Sequence, residues 1–250
     1  MRTLVVAAAL AAAASLAGTA LAIIGGHPDG NDHPAVGALL APTPFSDGTS
    51  EVCSGTLISP TVFLTAAHCD QGLTQVAVTF DSSYSSSTGT KVVGTWHADP
   101  AYRKAQSDPH DIAVVLFPHR INGITPAQLP KLGSLDTLAH GATITAVGYG
   151  AQSVNKGGGK PSYNYADVRY ETTGSVNSVT PAWIRASMNP ATGDGGTCYG
   201  DSGGPNFVGT SNVIAGTTIT GDTTCRATNV DYRLDTPSAR AFLGQWVQLP

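Results

Sequence analysis

Short apolar or alternating runs, each closed by Gly, Pro, Ser or Asp, make up most of the chain. In the first half they are Ala35–Leu40, Gly55–Ile58, Val62–Thr65, Gln75–Phe80, Val92–His97 and Ile112–Phe117. Ala142–Val147, Asp167–Thr172, Val213–Thr220 and Val230–Leu234 continue the habit. Runs this short, with period two or unbroken apolar character, predict half-buried and core strands. Many such strands with little helical periodicity make the class all-β. One helix is expected at the end of the chain. Thr236 can cap it, Pro237 suits its first turn, and Ala239, Phe242, Leu243, Trp246 and Val247 then share a face. The run Ser82–Gly89 and the stretch Lys156–Lys160 read as exposed loops, and neither precedes a helix as a phosphate cradle must.

The first residues change the picture of where the chain works. Met1-Arg2-Thr3 carries a positive charge, an Ala/Leu/Val run reaches Ala17, and Ala20-Leu21-Ala22 completes an A-x-A pattern. This is the form of a secretory signal over residues 1–22, removed before Ile23. The run is too short and alanine-rich for a membrane anchor, and no other segment could span a bilayer as a helix. What remains is long enough for a large single domain or two packed barrels. Four cysteines in an exported chain imply two disulfides, with three pairings open. No C-x-x-C pair suggests zinc. Charged residues are only 12% and the net charge is −4 without a basic cluster, which argues against nucleic acid as a partner.

The chemistry concentrates at Thr197-Cys198-Tyr199-Gly200-Asp201-Ser202-Gly203-Gly204-Pro205. A serine among glycines can be approached closely by substrate, and the glycine backbone can turn N–H groups toward a developing oxyanion. Gly-x-Ser-x-Gly also fits the nucleophile elbow of α/β-hydrolases. That reading needs a histidine after the serine, and every histidine lies before Ser202. A serine nucleophile needs a base, and the base an orienting carboxylate. His68, in Thr65-Ala66-Ala67-His68-Cys69, follows an apolar run that would deliver it to a strand end. Asp111 opens the apolar run Asp111–Leu116, where an unpaired charge would be costly. His110 beside it should face the opposite way. His27, His33, His97, His119 and His140 show no metal spacing and no acidic companion motif, so surface or packing roles are expected for them.

Through Ile23-Ile24-Gly25-Gly26, Thr65–Cys69, Asp111-Ile112-Ala113 and Gly200–Pro205, in that order, the chain resembles the trypsin/chymotrypsin-like serine proteases. The resemblance implies two packed antiparallel six-stranded barrels with a C-terminal helix. Residues 23–130 would carry His68 and Asp111, and residues 131–250 would carry Ser202. It further implies a catalytic triad of His68, Asp111 and Ser202, with the N–H groups of Gly200 and Ser202 as the oxyanion hole. A buried pair between the Ile23 ammonium and Asp201 is implied too, and the disulfides become Cys53–Cys69 and Cys198–Cys225. Because cleavage after Ala22 would expose Ile23 directly, signal removal would itself activate the enzyme.

The same resemblance puts Gly196 at the floor of the specificity pocket, with Ile219, Thr220 and Gly221 along its wall. With no carboxylate at the floor, an apolar or aromatic side chain is expected before the scissile bond. Asp194, Asp222 or Asp231 could restore a preference for Arg or Lys. Ile219 stands where the family has a serine that helps hold the triad aspartate. Gln71–Thr74 lacks the acidic pair of a calcium loop, so no metal or cofactor is expected. The expectation is a secreted, monomeric serine endopeptidase acting on proteins or peptides at neutral to alkaline pH, associated with neither nucleic acid nor membrane. A weak or inactive binding protein on the same scaffold is the alternative.

Overall fold

The computed structural model describes residues 23–85, 89–103, 107–155 and 162–250. The expected signal segment and the Lys156–Lys160 stretch lie outside these residues, as do 86–88 of the Ser82–Gly89 run. The first half forms β1 (His27–Pro28), β2 (Val36–Leu40), β3 (Glu51–Ser59), β4 (Val62–Thr65), β5 (Gln75–Thr79), β6 (Val92–Ala98) and β7 (Ala113–Leu116). Then come β8 (Thr143–Gly148), β9 (Ser153–Asn155), β10 (Ser162–Asn164), β11 (Tyr170–Val179), β12 (Trp183–Ser187), β13 (Pro205–Val208), β14 (Ile214–Gly221), β15 (Thr228–Arg233) and the helix α1 (Pro237–Leu243).

Two antiparallel barrels result. The first closes in the order β2-β3-β4-β7-β6-β5. The second runs β8-β11-β12-β15-β14-β13 and closes because β8 pairs with both β11 and β13. β1 adds to the edge of β11, with His27 opposite Glu171. The connection between the barrels spans residues 117–142. Thr236 caps α1 by accepting from the Ala239 N–H at 3.2 Å. The helix ends at Gly244, short of Trp246 and Val247, which nevertheless pack on the same core.

The first barrel reads as unbroken apolar runs because several of its strands bury both faces. Leu39, Phe63 and Val115 point into the barrel. Their neighbours Ala38, Leu40, Val62, Leu64 and Val114 pack instead in the cluster that holds Val147, Phe207, Tyr232 and α1. Side chains alternate across a strand, so burying both faces removes the polar half of the pattern. Gly55 interrupts β3 because the Phe63 ring occupies the space a Cβ would need. Tyr84 departs from the exposed loop expected for residues 82–89: it is buried and its ring meets that of Tyr149 edge-on.

Arg169 is the largest fully buried side chain, and it ties the barrels together. Its Nε donates to Asp29 Oδ2 at 2.7 Å, and its Nη1 donates to the carbonyls of Val36 (3.0 Å) and Phe80 (3.2 Å) and to the Tyr149 hydroxyl (3.2 Å). Tyr149 passes its own proton to the Asp81 carbonyl at 2.9 Å. Burial, partly offset by Arg169, pushes the Tyr149 phenol up to about 12. Removing one member of such a pair leaves the other charge buried alone. Arg169→Met should therefore destabilise the fold by about 3–5 kcal/mol, and Asp29→Asn in the same chain should recover part of the loss. Urea unfolding of the wild type and the two variants measures both.

Candidate active site

His68 sits in a single 3-10 turn, Ala67–Cys69, that follows β4. The Cys53–Cys69 disulfide fastens this turn to β3. Asp111 immediately precedes β7, the neighbour of β4, so the strand pairing alone brings the two side chains to one barrel end. The contact is double. Asp111 Oδ1 accepts the His68 backbone N–H at 2.9 Å, and Oδ2 accepts Nδ1 at 2.8 Å. Asp111 is 4% exposed, so the ring orientation is set in a water-poor wall. With Nδ1 donating, Nε2 is left with its lone pair outward.

His110 is turned away, but not by strand alternation, since it lies before β7 in a left-handed backbone conformation. Its backbone has φ +51°, and its Nδ1 lies 3.0 Å from Asp99 Oδ2. Ile219 leaves Asp111 without the serine contact the resemblance would supply. Both carboxylate oxygens instead take N–H groups of His68 itself.

Ser202 comes from the second barrel and lines two of the three clefts that His68 lines. No hydrogen bond joins its hydroxyl to the imidazole among the described residues; in enzymes without substrate such bonds are often long and tighten on binding. Its backbone is tied across the barrels, with the Ser202 carbonyl accepting from Ser54 N–H at 2.9 Å. The Ser54 hydroxyl donates to the Gly200 carbonyl (3.0 Å) and accepts from Tyr149 N–H (2.9 Å). Sequence reading missed Ser54, because nothing near it marks a residue that bridges the oxyanion loop to the other barrel.

Gly200 has φ +96°, a conformation open to glycine, and its carbonyl faces Ser54. A Cβ there would collide with the Glu51 carboxyl. Asp201 is buried, with the Gly150 N–H donating to Oδ1 and the Cys198 N–H to Oδ2, each at 2.8 Å. Burial raises its carboxyl to about 7 although these two donors oppose the rise. Gly148 and Gly150 leave the space it fills. Glu51 is also buried, and neither of its oxygens has a partner. Burial, followed by the charges of Asp201 and Asp167, pushes its carboxyl well above the usual range. Glu51 was invisible to sequence reading, since it looks like an ordinary loop-edge acid.

The Ile23–Gly26 segment is folded inward. Ile23 is fully buried, Ile24 bridges Gly196, and the Gly196 N–H donates to the Ile24 carbonyl at 3.0 Å.

One cleft, of about 470 Å³, lies on the Glu51, Cys53 and Phe45 side of Ser202. The other, of about 260 Å³, has Thr197, Tyr199, Ile219, Thr220 and Gly221 in its walls. Gly196, expected at the floor, does not line this cleft; it is buried behind Met188. Of the three aspartates considered for a basic preference, Asp222 alone lines the cleft, and its carboxylate is engaged by backbone donors. Asp194 is bonded to Ser175 and Thr192. Asp222 accepts backbone N–H groups of Thr224, Arg226, Ala227 and Thr228 and is held down to about 2. Asp231 is fully buried and bonded to Asn206 and Asn229. The disulfide Cys198–Cys225 closes the far side.

Two clusters bring metal-ligating types together among the described residues. Cys53, His68 and Cys69 form one, but both thiols are consumed in the disulfide. Asp29, His33 and Glu171 form the other, beside a cleft of about 660 Å³. There the structure supplies the acidic companions that sequence spacing did not reveal. Asp29 Oδ1 faces the His33 ring at 2.6 Å, and its Oδ2 accepts from Arg169, so both of its oxygens already have partners.

The Trypsin family model matches residues 23–242. A trypsin of Saccharopolyspora erythraea is 32% identical over 219 residues, covering 80% of this chain and 87% of that protein. A chymotrypsin of Phaedon cochleariae is 29% identical over 190 residues, covering 72% and 67%. Among solved structures, HL collagenase superposes with a TM-score of 0.69 at 19% identity, over 89% of this chain and 97% of that one. Human heparin binding protein gives 0.66 at 18%, over 90% and 96%. At such identities the structural likeness speaks for the two-barrel fold alone. The family model and the bacterial relative go further: the chain belongs to the trypsin family, and it is a serine endopeptidase.

Proposed function

We propose that this endopeptidase is exported, that it cleaves peptide bonds through an acyl-enzyme on Ser202, and that it favours uncharged side chains before the scissile bond. His68 takes the serine proton as the hydroxyl attacks and later gives it to the leaving amine. Asp111 holds the ring in the required tautomer and stabilises the imidazolium. The N–H groups of Gly200 and Ser202 receive the oxyanion. The observation that carries this reading is the double contact of Asp111 with His68, made in a wall of the clefts that Ser202 shares. The neutral preference is supported by the placement of Asp194 and Asp231 outside the lining of the smaller cleft and by the backbone N–H groups that engage Asp222, the carboxylate that does line it.

Activation follows from the electrostatics of Asp201. A carboxyl raised to about 7 by burial lacks a cation, and an ammonium at Ile23 is the cation the resemblance provides. The inward fold of Ile23–Gly26 against residues 195–196 supports the idea that this segment is already in place. Cleavage after Ala22 would then do two things at once, releasing the protein from its signal and creating the charge.

Ser202→Ala should lower kcat/KM by roughly 10⁴–10⁶-fold and abolish labelling by a serine-directed phosphonate; retained turnover in pure mutant protein would refute the mechanism. N-terminal sequencing of active secreted protein should find Ile23. A form beginning at Gly18 should be slower by about 10²-fold or more, and full activity in that form would overturn the ammonium pair. Glu51 gives a third test, in a Ser202→Ala background still carrying residues 1–22. Its folded carboxyl is raised above the unfolded value, so ionisation opposes folding increasingly as pH rises past the ordinary carboxylate range. Glu51→Gln should gain about 1–3 kcal/mol over the parent at pH 8 and nothing at pH 3–4, read by denaturant midpoints across pH.

A further inference from the structure

The residue that sets the depth of the specificity pocket is not among those the resemblance names. Met188 leaves the end of β12 and runs beneath the smaller cleft. Its side chain is 1% exposed. A Cβ at Gly196 would collide with Met188 Cβ, Cγ and Sδ, so the thioether lies directly on the Gly196 backbone. A Cβ at Gly221, on the opposite wall, would meet Met188 Cε at 3.6 Å. The thioether therefore reaches from the expected floor residue to the wall residue, across the space a deep side chain would need. The cleft above it is lined from Thr197 outward and includes neither Gly196 nor any later residue of β15.

The methionine is held from several directions. Its own N–H donates to the Ala227 carbonyl at 3.0 Å. Thr197 Oγ1 lies 3.9 Å from its sulfur while donating to Asn229 Oδ1 at 2.7 Å. Behind Gly196 stands the Ile24 carbonyl, which accepts the Gly196 N–H, so the floor cannot sink without unseating the N-terminal segment. Asn229 in turn donates to Asp231 Oδ1 at 2.8 Å, which keeps that buried acid from the cleft.

We propose that Met188 is a specificity-determining residue: it truncates the pocket so that Ala, Val and Leu before the scissile bond are accepted while Phe, Tyr and Arg are excluded. This rests on the reading that Ser202 is the nucleophile, and it replaces the aromatic preference expected from sequence with an aliphatic one. The physical reason is steric. A well-packed wall admits a few methylenes, and inserting a ring would force the thioether off its packing surface and break the contacts described above.

The test is a panel of chromogenic peptides differing only in the residue before the scissile bond (Ala, Val, Leu, Phe, Arg), turned over by the mature wild type, Met188→Ala and Met188→Leu. Wild type should favour the best of the three aliphatics over Phe and Arg by about tenfold or more in kcat/KM. Met188→Ala should raise the Phe-to-Ala ratio of kcat/KM by about tenfold. Met188→Leu, which conserves volume, should keep the wild-type profile. Turnover of the Ala peptide serves as the internal measure of folded, competent enzyme, and the wild-type profile decides even if Met188→Ala fails to fold. Phe handled by wild type as well as Leu, or a Phe-to-Ala ratio unmoved in active Met188→Ala, overturns the role of Met188 alone. Silence across the whole panel, with no phosphonate labelling, sinks the Ser202 reading and this inference with it.

Discussion

The constraint on which the site depends is the burial of Asp201 next to the proposed nucleophile. A carboxylate cannot be taken from water without donors or a cation. Its two oxygens are met by the N–H groups of Gly150 and Cys198, one from the segment after β8 and one from its own loop. Those bonds fix the part of the loop that leads into Ser202. They also explain why glycine recurs around it. Gly148 and Gly150 make room for the carboxyl, and Gly200 turns through a positive φ so that its carbonyl meets Ser54. The conformation of the Gly200–Ser202 loop is thus tied to where one acid is buried, and the proposed pairing with the N-terminal segment would supply the cation that acid lacks.

Much of the fold was legible because burial leaves a periodic trace. Nine of the ten predicted runs fall largely on strands, Asp167–Thr172 catches only the start of β11, and Thr236-Pro237 marked the helix start within its cap. What was missed has identifiable causes. β12 carries Arg185, exposed between buried Ile184 and Ala186, in a segment too short to stand out beside Trp183 and Ser187. β13 begins with a proline, which argues against a strand unless its neighbours leave that position free. β1 has only two residues, and its pairing with β11 depends on partners far along the chain.

The site divides in the same way. His68, Asp111 and Ser202 each sit in a local motif, and their order excluded the competing hydrolase arrangement. Ser54, Glu51 and Met188 carry no such signature, because each acts only through a surface that the other strands create. Ser54 is an ordinary strand serine until β3 is laid against the Gly200 loop. Met188 is an ordinary core methionine until Gly196 and Gly221 are placed on either side of it. A glycine in sequence announces free space, but it does not say whether solvent, substrate or a neighbouring side chain fills that space. At Gly196 it is the side chain of Met188, which the floor position alone does not reveal.

The lost serine contact to Asp111 can be weighed against what remains. A carboxylate with one hydrogen-bonded oxygen could pivot, and the imidazole would pivot with it. Here both oxygens are engaged by one residue, and the two bonds differ in kind: one goes to the ring and one to the backbone. Rotation of the carboxyl would break the backbone bond even if the ring followed. The His68 backbone cannot follow, because the Cys53–Cys69 disulfide and the β4–β7 pairing hold its turn against the barrel. The orientation that a third side chain provides elsewhere is therefore available from main-chain rigidity. Replacing a polar group by Ile219 adds apolar surface where both barrel clusters meet, since Ile219 packs against each of them. The exchange favours stiffness of the cleft wall over an additional hydrogen bond to the acid, and the burial of Asp111 is what makes two bonds sufficient.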